Sequence, residues 1–281
     1  MTKRFALATA RDIHPNGPEE DALIAKALIE LGAEARAIHW DETDPGELAG
    51  ETVVIRTPWN YVEHYECFIR WLMDVDAHTT LVNPLEHHTG TIFKTYLADY
   101  AAKGFAVPET KACRSERELV MALKNPAFAD AVIKPVVGGG ASGLFRLNPN
   151  DPATWAQVDW QVPQLLQRFL PEIETKGEMS FVFFGCAFSH AVQKLARPGD
   201  IRVQVDWGGT VEVIDPPSDQ IDEAAHFLNA LPSIPTYARV DVVEAGGKLL
   251  LMELEVIEPE LFCLYVPGSA ERFAEALVNL A

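Results

Sequence analysis

Residues 131–147 read Ala131-Val132-Ile133-Lys134-Pro135-Val136-Val137-Gly138-Gly139-Gly140-Ala141-Ser142-Gly143-Leu144-Phe145-Arg146-Leu147. An apolar strand stops at a proline, a glycine-rich loop follows, and a second apolar strand returns. Glycine lets backbone N–H groups close around a phosphate without steric cost. The loop joins two strands, so it is not a dinucleotide fingerprint. It has no following Gly-Lys-Ser/Thr, so it is not a P-loop either. Taken alone, Gly138, Gly139, Gly140 and Ser142 fit a plain flexible turn equally well. Lys134 gives the hairpin a direction. A lysine ending an apolar strand is rarely buried without a partner, and a phosphate oxygen is a natural one. Lys94, early in a helix predicted over 92–103, is by itself a solvated helix charge. Read with Lys134, it suggests a phosphate-binding pair.

Downstream, Asp241 lies in the strand Tyr237-Ala238-Arg239-Val240-Asp241. Glu253 and Glu255 close the strand Leu249-Leu250-Leu251-Met252-Glu253-Leu254-Glu255. Positions i and i+2 of a strand share a face, and the run before them is apolar, so that face is not simply solvated. Clustered carboxylates raise one another's pKa unless a cation intervenes, and hard oxygen ligands suit Mg²⁺. The alternative is an exposed edge strand with two acids. Between hairpin and acids, Gln167-Arg168-Phe169-Leu170 breaks into a polar turn holding Glu174 and Glu178. Backbone groups there could read an adenine edge and a carboxylate could meet ribose, or the turn is a solvated surface loop. His190, Lys194 and Arg202 add positive groups. Arginine can hold a carboxylate or phosphate bidentately, while His190, also a substrate candidate, reads more readily as a core histidine than as a base. No Gly-x-Ser-x-Gly elbow is present.

Upstream, strands predicted over 4–10, 35–40, 52–56 and 81–84 alternate with helices over 19–31 and 67–75. This argues for a small parallel sheet with helices on its faces. Ligands bind beyond the carboxyl ends of such strands. That makes Arg56, Trp59, Tyr61, Asp12 and Asp21 substrate candidates. Further strands are expected over 105–108, 144–147, 164–170, 178–184, 187–195, 211–214, 237–243 and 248–254. Helices are expected over 116–123, 224–230 and 270–280.

The 281 residues are 48% hydrophobic and 23% charged, which excludes disorder. Forty-one acids against 23 bases give a net charge of −18, which disfavours nucleic acid and anionic membranes as partners. No apolar run reaches the roughly 18 residues of a membrane span. The four cysteines are scattered and form no C-x-x-C pair, which points away from zinc and towards the cytoplasm.

Taken together, these segments resemble the ATP-grasp enzymes, over nearly the whole chain. Asn83-Pro84, Lys94-Thr95-Tyr96-Leu97 and Val107-Pro108-Glu109-Thr110 are similar to the entry into that family's nucleotide lobe. The finer likeness is to its glutathione-synthetase-like branch. Within it, Arg56–Tyr61, Gly177–Phe184, Phe188–Val192 and Met252–Pro259 resemble the cyclo-ligases that close O-ureido-D-serine into D-cycloserine. The resemblance implies an α/β ATP-grasp fold in three parts: a substrate lobe over 1–90, a small ATP-grasp lobe over 91–165 and a C-terminal lobe over 166–281.

It further implies that Lys94 and Lys134 bind the α- and β-phosphates of ATP and that the Gly138–Ser142 loop closes over them. Gln167, Phe169 and Leu170 would line adenine, with Glu174 or Glu178 at the ribose. Asp241, Glu253 and Glu255 would hold Mg²⁺, although many relatives carry asparagine where Glu255 stands. Arg202, with Lys194 nearby, would face an acyl phosphate. The implied activity is an ADP-forming ligase acting on a small amino-acid substrate, in antibiotic biosynthesis. The rivals are an intermolecular amino-acid ligase and an inactive nucleotide-binding protein. The assembly expected, if there is one, is a homodimer.

Overall fold

The computed structural model describes residues 2–11 and 18–280. Asp12, a substrate candidate, lies outside them.

The first unit is a parallel sheet. Strands β1 (Arg4–Thr9), β2 (Glu34–His39), β3 (Thr52–Thr57) and β4 (Thr80–Leu81) lie in the order β2-β1-β3-β4. β1 reads as a continuous apolar run because helices cover both of its faces; Phe5, Ala6, Leu7 and Ala8 are all buried. Helix α1 (Glu19–Glu30) opens with Glu19, Glu20 and Asp21, favourable at the positive end of the helix dipole. Helix α2 (Tyr65–His78) buries Phe68, Trp71, Leu72 and Val75, the i, i+3, i+4, i+7 stripe of an amphipathic helix. Helix α3 (Leu85–Thr91) leads out of the sheet.

The second unit holds α4 (Tyr96–Ala102), β5 (Thr110–Cys113), α5 (Glu116–Ala122), β6 (Ala131–Pro135), β7 (Phe145–Leu147) and β8 (Gln164–Arg168). Its sheet is antiparallel, in the order β5-β8-β6-β7. The expected division at 165/166 falls inside β8. The third unit holds α6 (Glu172–Thr175), β9 (Glu178–Phe184), β10 (Ala187–Leu195), β11 (Thr210–Ile214), α7 (Ser218–His226), β12 (Tyr237–Ala245), β13 (Lys248–Glu255) and α8 (Ser269–Val278). Its antiparallel order is β11-β10-β9-β12-β13.

Three local expectations change. The helix expected from residue 92 begins only at Tyr96, because the Lys94 N–H donates to the Val136 carbonyl (2.8 Å) at the exit of β6. The segment 105–108 is not a strand. Its Ala106 carbonyl accepts from the Leu251 N–H (2.8 Å), and Pro108 has no N–H to extend a ladder. The helix expected over 224–230 lies earlier, at Ser218–His226, and ends in a 3-10 turn over Phe227–Ala230.

The first and third units share polar joints. Asn83, in the left-handed region at φ 57°, donates to the carbonyls of Tyr237 (2.9 Å) and Val256 (2.7 Å) and accepts from the Thr236 N–H (2.7 Å). Asparagine tolerates that conformation better than most residues. No helix among the described residues is long and apolar enough to cross a membrane.

Candidate active site

A cleft of about 830 Å³ is lined by residues of all three units, within the size range of small-molecule sites. The glycine-rich loop between β6 and β7 lines it. So do the ends of β6 and β8, the inner faces of β9, β10, β12 and β13, and Trp59 and Tyr61 from the first unit.

The acids meet where β12 pairs with β13. Asp241 stands opposite Glu253, and Arg239 opposite Glu255, with a bulge just beyond Asp241. One ligand oxygen from each of Asp241, Glu253 and Glu255 lies within 4.8 Å of the others. Burial opposes the charge on Asp241, but Arg239 (2.9 Å) and Lys194 (3.5 Å) outweigh it and hold the carboxyl at about 2. Glu255 is the reverse case. Burial, with repulsion from Glu253 and Asp241, pushes it up to about 8 despite its ion pair with Arg239. Three convergent hard-oxygen donors in mutual repulsion form a set that a divalent cation would relieve, so these residues fit Mg²⁺.

The cations face this cluster. Lys94 forms an ion pair with Glu253. Lys194 pairs with Glu178 (2.6 Å) and, despite burial, the carboxylates around it raise its pKa. Lys134 lines the same cleft yet makes no hydrogen bond or ion pair with any described residue, and burial lowers its pKa. Arg202 is held by Asp200 through two contacts (2.9 and 2.7 Å), and its guanidinium stacks 3.7 Å over the Trp207 ring.

Gly138, Gly139, Gly140 and Ser142 line the cleft. The return of the hairpin requires Gly143 (φ 70°), where a Cβ would stand 2.9 Å from Pro135. Gln167, Phe169 and Leu170 line the far end. The Gln167 amide donates to Thr110 Oγ1 (3.1 Å), leaving its buried carbonyl oxygen without a partner among the described residues.

Several candidates stand elsewhere. Arg56, expected to meet substrate, is 0% exposed. It pairs with Asp21 (3.0 Å) and Glu20 (2.7 Å) and donates to the Pro259 carbonyl (3.2 Å). Glu20 in turn accepts the N–H groups of Leu261 (3.0 Å) and Cys263 (2.7 Å). Arg56 and Asp21 therefore belong to a buried network that anchors residues 259–263; Glu260 and Phe262 of that segment line the cleft, whereas Arg56 and Asp21 do not. His190 is buried with Nε2 2.7 Å from the Leu261 carbonyl and is likewise absent from the cleft lining. Glu174 is exposed and pairs with Arg146 (3.0 Å), which stacks on the outside of Phe169. Glu178 does line the cleft, but its carboxylate is committed to Lys194.

One lining residue, Glu258, and one residue stacked on the lining residue Arg202, Trp207, have no role in the sequence reading. Glu258 is hydrogen-bonded to the Tyr61 hydroxyl, and burial raises its pKa. The run Glu253-x-Glu255-x-x-Glu258 was the available signal, but the residue lies beyond the end of β13, where strand periodicity says nothing. Trp207 carried no signal, because its hydrogen-bond acceptor, the Gly140 carbonyl, lies 67 positions away.

Comparison with known proteins adds to this geometry. Residues 5–83 match the family described as D-cycloserine synthetase DcsG, N-terminal domain. The cycloserine biosynthesis protein DcsG of Streptomyces lavendulae is 27% identical over 276 residues, covering 91% of this chain and 92% of the relative. The crystal structure of D-cycloserine synthetase DcsG superposes with a TM-score of 0.83 at 26% identity, covering 98% of each chain. The ATP-grasp ligase PsnB, solved with a precursor variant, Mg and ADP, shares the fold at a TM-score of 0.66 and 13% identity, covering 99% of this chain and 98% of PsnB. Residues 94–259, the stretch that supplies both lysines, the glycine-rich loop and the three acids, match the family described as prokaryotic glutathione synthetase, ATP-grasp domain. Since that match takes in more than half of its residues, the chain belongs to this ATP-grasp family.

Proposed function

We propose that this ATP-dependent carbon–nitrogen ligase closes an amino-acid derivative of the O-ureido-D-serine type into a ring, through an acyl phosphate. One observation carries the choice of reaction. The first unit, whose residues 5–83 match the N-terminal domain of D-cycloserine synthetase, puts Trp59 and Tyr61 into the same cleft as the lysines and acids.

The unpartnered Lys134, and Lys94 once drawn from its ion pair with Glu253, meet the ATP phosphates. The Gly138–Ser142 loop covers them, and the free carbonyl of Gln167 accepts from the adenine amino group. Asp241, Glu253 and Glu255 would hold Mg²⁺, which when bound neutralises phosphate charge. The substrate carboxylate takes the γ-phosphoryl group, ADP leaves, and the nitrogen joined to oxygen in the same molecule attacks the acyl carbon and expels phosphate. Proximity favours this intramolecular attack. One water molecule then hydrolyses the ureido group: its carbonyl leaves as carbon dioxide, its terminal nitrogen leaves as ammonia, and the ring nitrogen keeps a proton. Arg202 stabilises the oxyanion of the tetrahedral intermediate. Glu258 and Tyr61 receive the substrate's ammonium group.

The test is phosphate and ammonia release from ATP, Mg²⁺ and O-ureido-D-serine without a second amine. One phosphate and one ammonia per turnover support ring closure. Phosphate release only after a second amino acid is added would instead identify an intermolecular ligase.

A further inference from the structure

Two loops rise over the cleft from different sheets. One is the glycine-rich loop between β6 and β7; the other, residues 196–209, joins β10 to β11. Among the described residues a single hydrogen bond joins them: Trp207 Nε1–H donates to the Gly140 carbonyl (2.8 Å). The other face of the contact is the Arg202 guanidinium, 3.7 Å from the centroid of the same indole ring. One side chain therefore touches both the loop expected over the phosphates and the arginine expected over the acyl phosphate.

The turn that presents this indole is tightly built. The Trp207 N–H donates to the Gln204 carbonyl (3.0 Å), the Gly208 N–H to Val205 (2.8 Å) and the Gly209 N–H again to Gln204 (3.1 Å). A Cβ on Gly209 would stand 2.2 Å from the Val203 carbonyl oxygen. The turn thus holds the ring in one place. On the opposite side, Gly140 (φ 58°) and Ala141 (φ 57°) both occupy the left-handed region. That conformation is costly for alanine and is kept only where surrounding contacts enforce it.

We propose that Trp207 is a positioning residue that couples closure of the glycine-rich loop to the placement of Arg202. This rests on the ATP-dependent reading above. The indole is suited to the task because it carries two independent handles. Its N–H fixes the loop, and its π face seats the guanidinium, as aromatic faces do for cations. Phenylalanine keeps the second handle and lacks the first; alanine lacks both.

Hydrogen–deuterium exchange of the protein without nucleotide separates the handles. Trp207→Phe speeds exchange in peptides covering 138–143 and leaves 197–204 as in wild type. Trp207→Ala speeds both. The functional readout is release of a fluorescent ATP analogue with Mg²⁺, followed by stopped flow with no amino acid present. Trp207→Phe releases it about fivefold faster, the effect of one net hydrogen bond. Unchanged exchange over 138–143 in Trp207→Phe, or unchanged release, would overturn the proposal. A wild-type protein that does not bind the analogue at all refutes the ATP-dependent reading instead, and the exchange pattern then decides the coupling by itself.

Discussion

The ammonium of Lys94 and the carboxylate of Glu253 form an ion pair although 159 positions separate them in the chain. The pair joins a residue expected to bind phosphate to one expected to bind Mg²⁺, so each is the other's competitor. A phosphate must draw Lys94 away from Glu253, and a cation must draw Glu253 away from Lys94.

Opposite signs are therefore expected for Glu253→Gln. ATP binding without metal tightens, because Lys94 is released. Binding with Mg²⁺ weakens, and turnover falls by about 10²- to 10³-fold, the usual loss on removing one group that stabilises transition-state charge. Calorimetry with EDTA and with excess Mg²⁺ checks both signs. Equal weakening in the two conditions would show that Glu253 is not shared in this way.

Lys134 makes no ion pair or hydrogen bond with the described residues, and burial lowers its pKa. An ammonium held in that state costs folding free energy. Lys134→Met should leave the thermal midpoint unchanged or raise it while weakening ATP binding at least tenfold. A lower midpoint with unchanged nucleotide affinity would make this lysine structural.

Arg56 should behave in the opposite manner. It is fully buried with Asp21, Glu20 and the Pro259 carbonyl. Removing one partner of a buried ion network typically costs about 3–5 kcal/mol. Arg56→Met is expected to lose stability of that order in urea, measured at equilibrium. If it instead keeps its stability and loses only substrate affinity, the arginine faces the cleft after all.

His88 supplies a pH dependence. Burial, the larger influence, lowers its pKa from the ordinary 6.5 to about 4, against the carbonyl contact with Val82 (3.2 Å). The unfolded chain then binds more protons between those values, so stability is complete above pH 6.5 and declines as pH falls towards 4. The decline from this residue is about 3 kcal/mol. Burial also lowers His87 and His190, which adds to the slope. His88→Gln, followed by urea unfolding across pH 4–7, should flatten the slope by about one proton. An unaltered slope would assign the acid sensitivity elsewhere.

Glu258 lines the cleft and is hydrogen-bonded to the Tyr61 hydroxyl. If it receives the substrate's ammonium, Glu258→Gln raises KM for the amino-acid substrate by about tenfold or more and leaves KM for ATP within about twofold. A shift in both constants would place it among the nucleotide or metal groups.

The site was legible where its chemistry is written in short segments. The strand ending at Lys134, the glycine loop after it and the i, i+2 spacing of Glu253 and Glu255 each state a local geometry, and the structure brings all of them to one cleft. Arg56 was misread for a physical reason. Pro58-Trp59-Asn60-Tyr61 does lie beyond the end of β3, but Arg56 is still in the strand, where adjacent residues point to opposite sides. Whether a given arginine faces ligand or core depends on what packs beneath it, here Glu20 and Asp21 from α1. Glu174 and Glu178 were interchangeable in sequence; their separate partners, Arg146 and Lys194, come from other strands.

Residue order alone therefore determined the alternation of strands and helices, the phosphate-loop hairpin and the carboxylate strand, because these follow from periodicity, turn chemistry and charge within a few residues. Only the tertiary structure decided which charges are neutralised by burial with a partner and which remain open to a ligand. That distinction depends on distance and desolvation, and both arise when segments more than a hundred positions apart, such as those of Lys94 and Glu253, pack side by side.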